Sequence, residues 1–148
     1  MRAVVTRVKS ASVVIDGAVH GQIGGGFLVL LGVRDDDSTP QADKIVDRIV
    51  GLRVFEDENG KMNLNLEKAG LNEVLLISQF TLFADCRSRR PAFIRAARPD
   101  TAIPLYERVI EGLRAHGLHV ETGVFGADMQ VISQNDGPVT ILLDTDEL

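Results

Sequence analysis

Three polar residues interrupt an apolar stretch of the chain and carry side chains able to hydrogen-bond a substrate. Ser78, Gln79 and Thr81 stand between Val74 and Phe83, in a run otherwise typical of a β-strand. Strand alternation would send Gln79 and Thr81 to one face of a sheet and Ser78 to the other. A bulge or bend would instead let them share a cleft. An ordinary half-exposed strand is the alternative, and the spacing favours neither.

A second break in the apolar pattern is the sequence Asn135-Asp136-Gly137-Pro138. All four residue types favour turns, so the residues alone predict a plain turn between a strand at 129–134 and another at 139–143. Nothing in the spacing fixes the isomer of the Gly137–Pro138 peptide bond, and only about 5–6% of X-Pro bonds in folded proteins are cis.

A third feature is a group of five arginines within a segment that holds no acidic residue: Arg87, Arg89, Arg90, Arg95 and Arg98. The whole chain has a formal charge of −5, so this segment is a local positive pole. Guanidinium groups suit bidentate contacts to phosphate, which favours an anion-binding role. A solvated loop with acidic partners elsewhere on the surface is the alternative.

The remaining reactive side chains form no recognisable site. His20, His116 and His119 lack the spacing of metal ligands, and there is no pair of cysteines, which argues against a zinc site. The Gly-x-Ser-x-Gly motif of serine hydrolases is missing. The acidic run 35–37 lacks the glycine and spaced carboxylates of a calcium loop and is predicted to be solvated. We therefore expect no metal and no cofactor.

The composition indicates a single soluble domain. The chain has 148 residues, of which 45% are hydrophobic and 25% charged, and this suits one core. A single cysteine, Cys86, is typical of a reducing compartment. No signal peptide opens the chain, and its longest apolar run is too short to cross a bilayer. These features predict a cytoplasmic protein without a membrane partner. The negative charge argues against a general nucleic-acid binder, so no DNA partner is expected.

The elements that must position these residues follow from the hydrophobic pattern. Helical spacing predicts one helix from Thr39 to about Val50 and another from Asp100 to about His116. Asp16-Gly17 predicts a type I′ hairpin turn. Further strands are predicted at 2–8, 11–15, 18–23, 27–31, 54–55, 74–83 and 119–122. Blocks of strands separated by two helices indicate an α+β fold in one domain, residues 1–148.

Taken in order, these segments resemble the D-aminoacyl-tRNA deacylase family over nearly the whole chain. Two motifs carry the resemblance, Ser78-Gln79-Phe80-Thr81-Leu82 and 135–140. Supporting matches lie at 1–5, 27–33, 53–57, 60–64, 89–91, 121–123 and 125–129. The chain departs from the family pattern at 86–98, where Cys86 replaces a usual Thr and Ala92-Phe93-Ile94-Arg95 replaces a Ser- and Gly-rich run.

The resemblance implies a homodimer with a β-barrel-like antiparallel or mixed sheet and two main flanking helices. It implies hydrolysis of the ester between a D-amino acid and the tRNA 3′ end, with glycyl-tRNA also accepted. The catalytic segment would be Ser78, Gln79, Phe80 and Thr81. The substrate-binding residues would be Ala127, Met129, Gly137, Pro138, Val139 and Thr140, and the tRNA-binding residues Arg87, Arg89 and Arg90.

The resemblance also implies a mechanism. Gly137–Pro138 would be cis and would reach into the partner subunit's pocket, where main-chain atoms leave no room for an L side chain. The 2′-hydroxyl of the tRNA would assist hydrolysis, and the N–H groups of Gln79 and Phe80 are expected to stabilise the oxyanion. Thr81 is the candidate if a side chain acts.

Three other functions compete with an editing hydrolase. A nucleic-acid-binding module that kept the fold would need neither of the two motifs. An editing domain detached from a synthetase fits less well with a chain whose first strand begins at Met1. A purely structural dimer has no use for an arginine-rich loop.

Overall fold

One long strand organises the sheet in the computed structural model, which describes all 148 residues. Strand β1, Arg2–Ile15, pairs antiparallel with three strands: β2 (Ala18–Ile23), β3 (Gly26–Gly32) and β8 (Gln130–Asp144). Strand β6 (Glu73–Ser78) then adds parallel to β3, and β7 (His119–Thr122) adds parallel to β6. The order is β2-β1-β3-β6-β7, with β8 on β1.

The remaining elements are short or helical. Helix α1 spans Thr39–Gly51 and helix α2 spans Pro99–Ala115. A two-stranded sheet pairs β4, Phe55–Glu56, with β5, Met62–Leu64, and a single 3₁₀ turn spans Phe80–Phe83. No helix of the chain combines the length and the apolar character that crossing a bilayer requires.

The sheet curves until β2 and β7, the first and last strands of that order, come together. The Nδ1 atom of His20 on β2 lies 2.8 Å from the carbonyl oxygen of Thr122 on β7, to which it donates. Gly21 permits this approach, since a Cβ at that position would lie 3.1 Å from the same oxygen. The result is a nearly closed barrel in a mixed sheet with two helices, so the predicted fold class is confirmed.

Two apolar clusters hold the fold together. The larger lies between the sheet and the helices, where α1 contributes Ile45 and Ile49 and α2 contributes Val109 and Leu113, all fully buried. The smaller fills the barrel interior and comprises Val8, Ala11, Val13, Ile23, Leu28, Leu75 and Ile77. Burying a side chain of this size contributes about 1.5–3 kcal/mol, so both clusters matter for stability.

The N-terminal ammonium group is buried between the loop that follows β3 and the turn that follows β8. It donates to Asp37 Oδ1 and to Thr145 Oγ1, both at 2.8 Å, and neither Met1 nor the Asp37 side chain is exposed to solvent. The other carboxylate oxygen of Asp37 accepts the Arg34 N–H at 2.7 Å. The prediction that the whole acidic run is solvated is therefore wrong for Asp37, because it neutralises a buried cation.

Several predicted boundaries differ from the structure. The strands predicted at 2–8 and 11–15 are the single strand β1, and those predicted at 129–134 and 139–143 are the single strand β8. Helix α1 is capped by Ser38 rather than Thr39, since Ser38 and Gln41 form a capping box. Helix α2 begins at Pro99, so Asp100 lies within its first turn. The Asp16-Gly17 turn is confirmed, with φ of 50° and 77°.

Candidate active site

The chain bends sharply where β6 ends at Ser78. The N–H of Gln79 donates to the carbonyl of Leu31 at 2.7 Å, which ties the bend to the end of β3. Gly32 makes room for it, because a Cβ there would lie 3.0 Å from the Gln79 carbonyl oxygen. The 3₁₀ turn follows at once, so the predicted strand 74–83 is wrong beyond Ser78 and the bend is the correct alternative.

This bend forms one wall of a cavity of about 290 Å³. The lining residues are Ile77, Ser78, Gln79, Phe80, Phe125, Gly126, Ala127, Asp128, Met129 and Val131. Five of the predicted site residues are thus brought together from two distant segments of the sequence. Thr81 lies outside the cavity, with its hydroxyl oxygen accepting a hydrogen bond from Gln79 Nε2.

The opposite wall is a turn placed against helix α2. The Ala127 N–H donates to the Val124 carbonyl at 3.2 Å, and Gly126 supplies the left-handed φ of 78° that the turn needs. The ring of Phe125 packs against Tyr106, with 6.4 Å between ring centres. Burial raises the pKa of Tyr106, so its hydroxyl stays a neutral donor to the Leu76 carbonyl at 2.7 Å. The turn is therefore anchored to the core through Phe125.

A glycine allows Met129 to cover the floor of the cavity. A Cβ on Gly123 would lie 2.4 Å from the Met129 Sδ atom and 3.3 Å from Ile77 Cδ1. The thioether therefore occupies the space that a larger residue at position 123 would take. Met129 and Ile77 together give the cavity an apolar floor that continues into the barrel interior.

The cavity holds few groups capable of acid–base chemistry. Asp128 is its only charged side chain, and Ser78 and Gln79 are its only uncharged polar ones. The sequence led us to expect that the Gln79 N–H stabilises an oxyanion. This N–H is already donated to the Leu31 carbonyl, so it is not available for that role. Asp128 was missed by sequence reasoning, although it stands inside the matched segment 125–129. No trio of His, Cys, Asp or Glu side chains lies close enough to hold a metal ion.

The second predicted motif lies elsewhere in the same chain. Gly137–Pro138 is a cis peptide within β8, so the turn predicted there is wrong. Gly137 and Pro138 are exposed, Val139 is packed into the core, and Thr140 pairs with Thr6 of β1. None of the four lines the cavity formed by Ser78 and Met129.

Arg7 holds the chain in place immediately before this motif. Its Nε donates to the Asp136 carbonyl at 2.9 Å and lies 3.3 Å from the Asp136 carboxylate. Its Nη1 donates to the Val54 carbonyl at 2.5 Å, and the guanidinium lies 5.9 Å from the Phe55 ring centre. Hydrogen bonds to charged groups contribute on the order of 1.5–3 kcal/mol each. Sequence reasoning missed this residue, although an arginine inside a valine-rich strand was a usable signal.

The arginine cluster divides into paired and unpaired members. Arg87 forms a close pair with Asp85 and holds the pKa of that carboxyl at about 2. Arg95 lies 3.9 Å from Asp35. Arg89, Arg90 and Arg98 are exposed and belong to none of the ion pairs of the chain. These three residues are therefore the part of the cluster that is free to meet an anion.

The divergent segment 86–98 reaches the mouth of the cavity. Phe93 from this segment meets Phe80 edge-on, with 5.1 Å between ring centres and 73° between ring planes. Phe80 nevertheless stays 54% exposed, and the neighbouring Ile94 is 86% exposed. Phe80 and Phe93 thus give the mouth of the cavity an apolar rim.

Comparisons with known proteins agree over the length of the chain. A profile of the family described as D-Tyr-tRNA(Tyr) deacylase matches residues 4–144. A D-aminoacyl-tRNA deacylase of Symbiobacterium thermophilum is 56% identical over 99% of this chain and 97% of that protein. One of Thermus aquaticus is 53% identical, again over 99% of this chain and 97% of that protein.

Two solved structures share the fold. The c-Myc DNA Unwinding Element Binding Protein superimposes with a TM-score of 0.91 at 41% identity and covers 98% of this chain and 99% of its own. A probable eukaryotic D-amino acid tRNA deacylase has a TM-score of 0.81 at 16% identity, covering 96% and 97%, which speaks for the fold alone.

The nearly closed barrel, its cavity and these matches define a hydrolase that acts on an aminoacyl ester. More narrowly, the chain belongs to the D-aminoacyl-tRNA deacylase family. The family predicted from the sequence is thereby confirmed, and so is the prediction that the chain is an enzyme.

Proposed function

We propose that this deacylase edits tRNA by removing D-amino acids and glycine from the 3′ end while sparing L-aminoacyl-tRNA. The cavity beside Ser78 would hold the aminoacyl adenosine. Main-chain atoms of Gly137 and Pro138 of the partner subunit would stand close to the α-carbon. A hydrogen atom on the α-carbon fits against this main-chain wall and a side chain does not. D-residues and glycine therefore enter, and L-residues are excluded.

The observation that carries the cross-subunit pocket is the separation of the two motifs within one chain. Gly137 and Pro138 are exposed and do not line the cavity, so they can join a pocket only from a second copy. Strand β8 supports the homodimer, since it pairs only with β1 and its other edge is open. Two large apolar residues of β8 are exposed to solvent, Ile132 at 58% and Leu142 at 65%. Long open edges of this kind are usually covered in native proteins.

We further propose that the tRNA itself supplies the catalytic hydroxyl. The cavity contains no nucleophile–base pair, and the Thr81 hydroxyl lies outside it. The 2′-hydroxyl of the terminal adenosine adjoins the ester and would orient the attacking water, accepting a proton from it while passing its own proton to the 3′ leaving oxygen. The Phe80 N–H is the remaining candidate for the oxyanion, and Ser78 and Gln79 would position the substrate. Arg89 and Arg90, with Arg87 at their side, would contact the tRNA backbone in the cytoplasm.

Deacylation of matched tRNA esters tests this function. We expect the purified protein to hydrolyse D-Tyr-tRNA and Gly-tRNA and to leave L-Tyr-tRNA intact, because the proposed wall excludes only the L side chain. Release of labelled amino acid from each ester measures the three rates. Equal rates for D-Tyr-tRNA and L-Tyr-tRNA would remove the exclusion mechanism, and an intact D-ester would remove the enzyme assignment for this substrate.

The oligomeric state tests the shared pocket. Ile132→Asp should yield a monomer with little activity, because a carboxylate would be buried in the proposed interface. Val19→Asp is the matched control, since Val19 is also exposed, by 57%, but lies on β2. Sedimentation at micromolar concentration, run beside the deacylation assay, reports both properties. A monomeric Ile132→Asp variant with full activity would contradict a pocket built from two subunits.

A further inference from the structure

Asp128 is the only charged side chain that lines the cavity. The other lining residues are apolar or carry uncharged hydroxyl, amide or main-chain groups, and no Lys, Arg or His is among them. Asp128 takes part in none of the ion pairs of the chain. The cavity therefore presents one uncompensated negative charge to whatever enters it.

The backbone that carries Asp128 is held in place on both sides. It follows the turn that the Ala127 N–H closes on the Val124 carbonyl, and it precedes Met129, which packs on Gly123. On one side Phe125 anchors the turn against Tyr106, and on the other β8 begins at Gln130. Because the chain is anchored at Phe125 and at the start of β8, Asp128 remains at the cavity although it is exposed.

We propose that Asp128 binds the α-ammonium group of the aminoacyl ester and selects substrates whose α-nitrogen is free. An α-amino group is largely cationic below a pKa of about 8, and it is the one positive charge that an aminoacyl adenosine brings. A carboxylate attracts this cation and accepts a hydrogen bond from it. Esters whose α-nitrogen is acylated lack the charge and should be poor substrates. This inference rests on the proposed function, because it concerns the same cavity.

Two substrates that differ only at the α-nitrogen separate this role from others. D-Tyr-tRNA is compared with its α-hydroxy analogue at about pH 6.5, where the amine is protonated. Asp128→Asn keeps the size of the side chain and removes its charge. We expect it to lower kcat/KM for the amine substrate roughly 5- to 30-fold, mainly through KM, and to lower the amine-over-hydroxyl preference by the same factor. Asp128→Glu should restore part of that preference.

Other outcomes assign Asp128 differently. An equal loss with both substrates would mean that the carboxylate acts as a base or holds the fold, and it would overturn the proposal. Unchanged kinetics in Asp128→Asn would overturn it as well. Failure of the unaltered protein to hydrolyse D-Tyr-tRNA would overturn the proposed function itself, which is a separate result. Because Asp128 is exposed, we expect the melting temperature of the variant to stay unchanged.

Discussion

Hydrolysis of D-Tyr-tRNA should slow by roughly 10²- to 10⁴-fold when the terminal adenosine carries hydrogen in place of its 2′-hydroxyl, the range that general acid–base groups contribute. The cavity offers few groups for this role. Its only ionisable side chain is Asp128, and its only hydroxyl is that of Ser78. Single-turnover rates with the two tRNAs, at saturating protein, measure the chemical step without the binding step.

The controls for this experiment separate the hydroxyl from general damage to the tRNA. A 2′-deoxy substitution at the preceding nucleotide leaves the reacting ester unchanged and should leave the rate within about two-fold, well below the range expected for the catalytic group. Thr81→Ala should also retain activity, because the Thr81 hydroxyl lies outside the cavity. Full activity on the terminal 2′-deoxy substrate would show that the protein or a bound water supplies the base, and Asp128→Asn would then be the next variant to assay.

Replacing Asp37 by Ala should destabilise the fold by about 3–5 kcal/mol, because the N-terminal ammonium would stay buried without a counter-charge. The pair is at 2.8 Å with neither side chain exposed, and Asp37 also accepts the Arg34 N–H. For a chain of this size the loss corresponds to a fall of about 6–20 °C in melting temperature. Thermal and urea unfolding, followed by circular dichroism, provide the measurement.

The acidic run that contains Asp37 supplies its own control. Asp35 is 52% exposed and approaches Arg95 only at 3.9 Å. Asp35→Ala should therefore shift the melting temperature by less than about 2 °C, as is usual for surface positions. Equal stability of the Asp37→Ala and Asp35→Ala variants would show that the buried ion pair does not form in solution.

Local pattern was sufficient for those elements whose shape is set by nearby residues. The Asp16-Gly17 hairpin follows from the need for positive φ at both positions, and the buried strand β3 follows from its unbroken apolar run. Both helices show the predicted apolar faces. The family motifs then singled out Ser78, Ala127 and Met129 as site residues, and all three line the cavity.

Local pattern failed where a distant partner decides the conformation. Residues 79–83 have the composition of a continuing strand. The chain bends instead, at the point where the Leu31 carbonyl accepts a hydrogen bond from the Gln79 N–H. Residues 135–138 have the composition of a turn, yet β1 and the Arg7 guanidinium hold them in an extended strand. Asp37 has two acidic neighbours that are exposed, and its burial depends on Met1 and Thr145. These partners lie far away in the sequence, so the pattern of neighbouring residues does not reveal them.

The pairing of β1 with β8 has a consequence for how the molecule is made. Arg2 pairs with Asp144, so one edge of the first strand stays empty until residue 144 has left the ribosome. Pairing across such sequence distance slows folding, because the entropy of closing a long loop is lost before the contact forms. The wall that carries Met129 and Val131 adjoins that late strand. A nascent chain that lacks β8 is therefore without a cavity, and activity should appear only when β8 docks on β1.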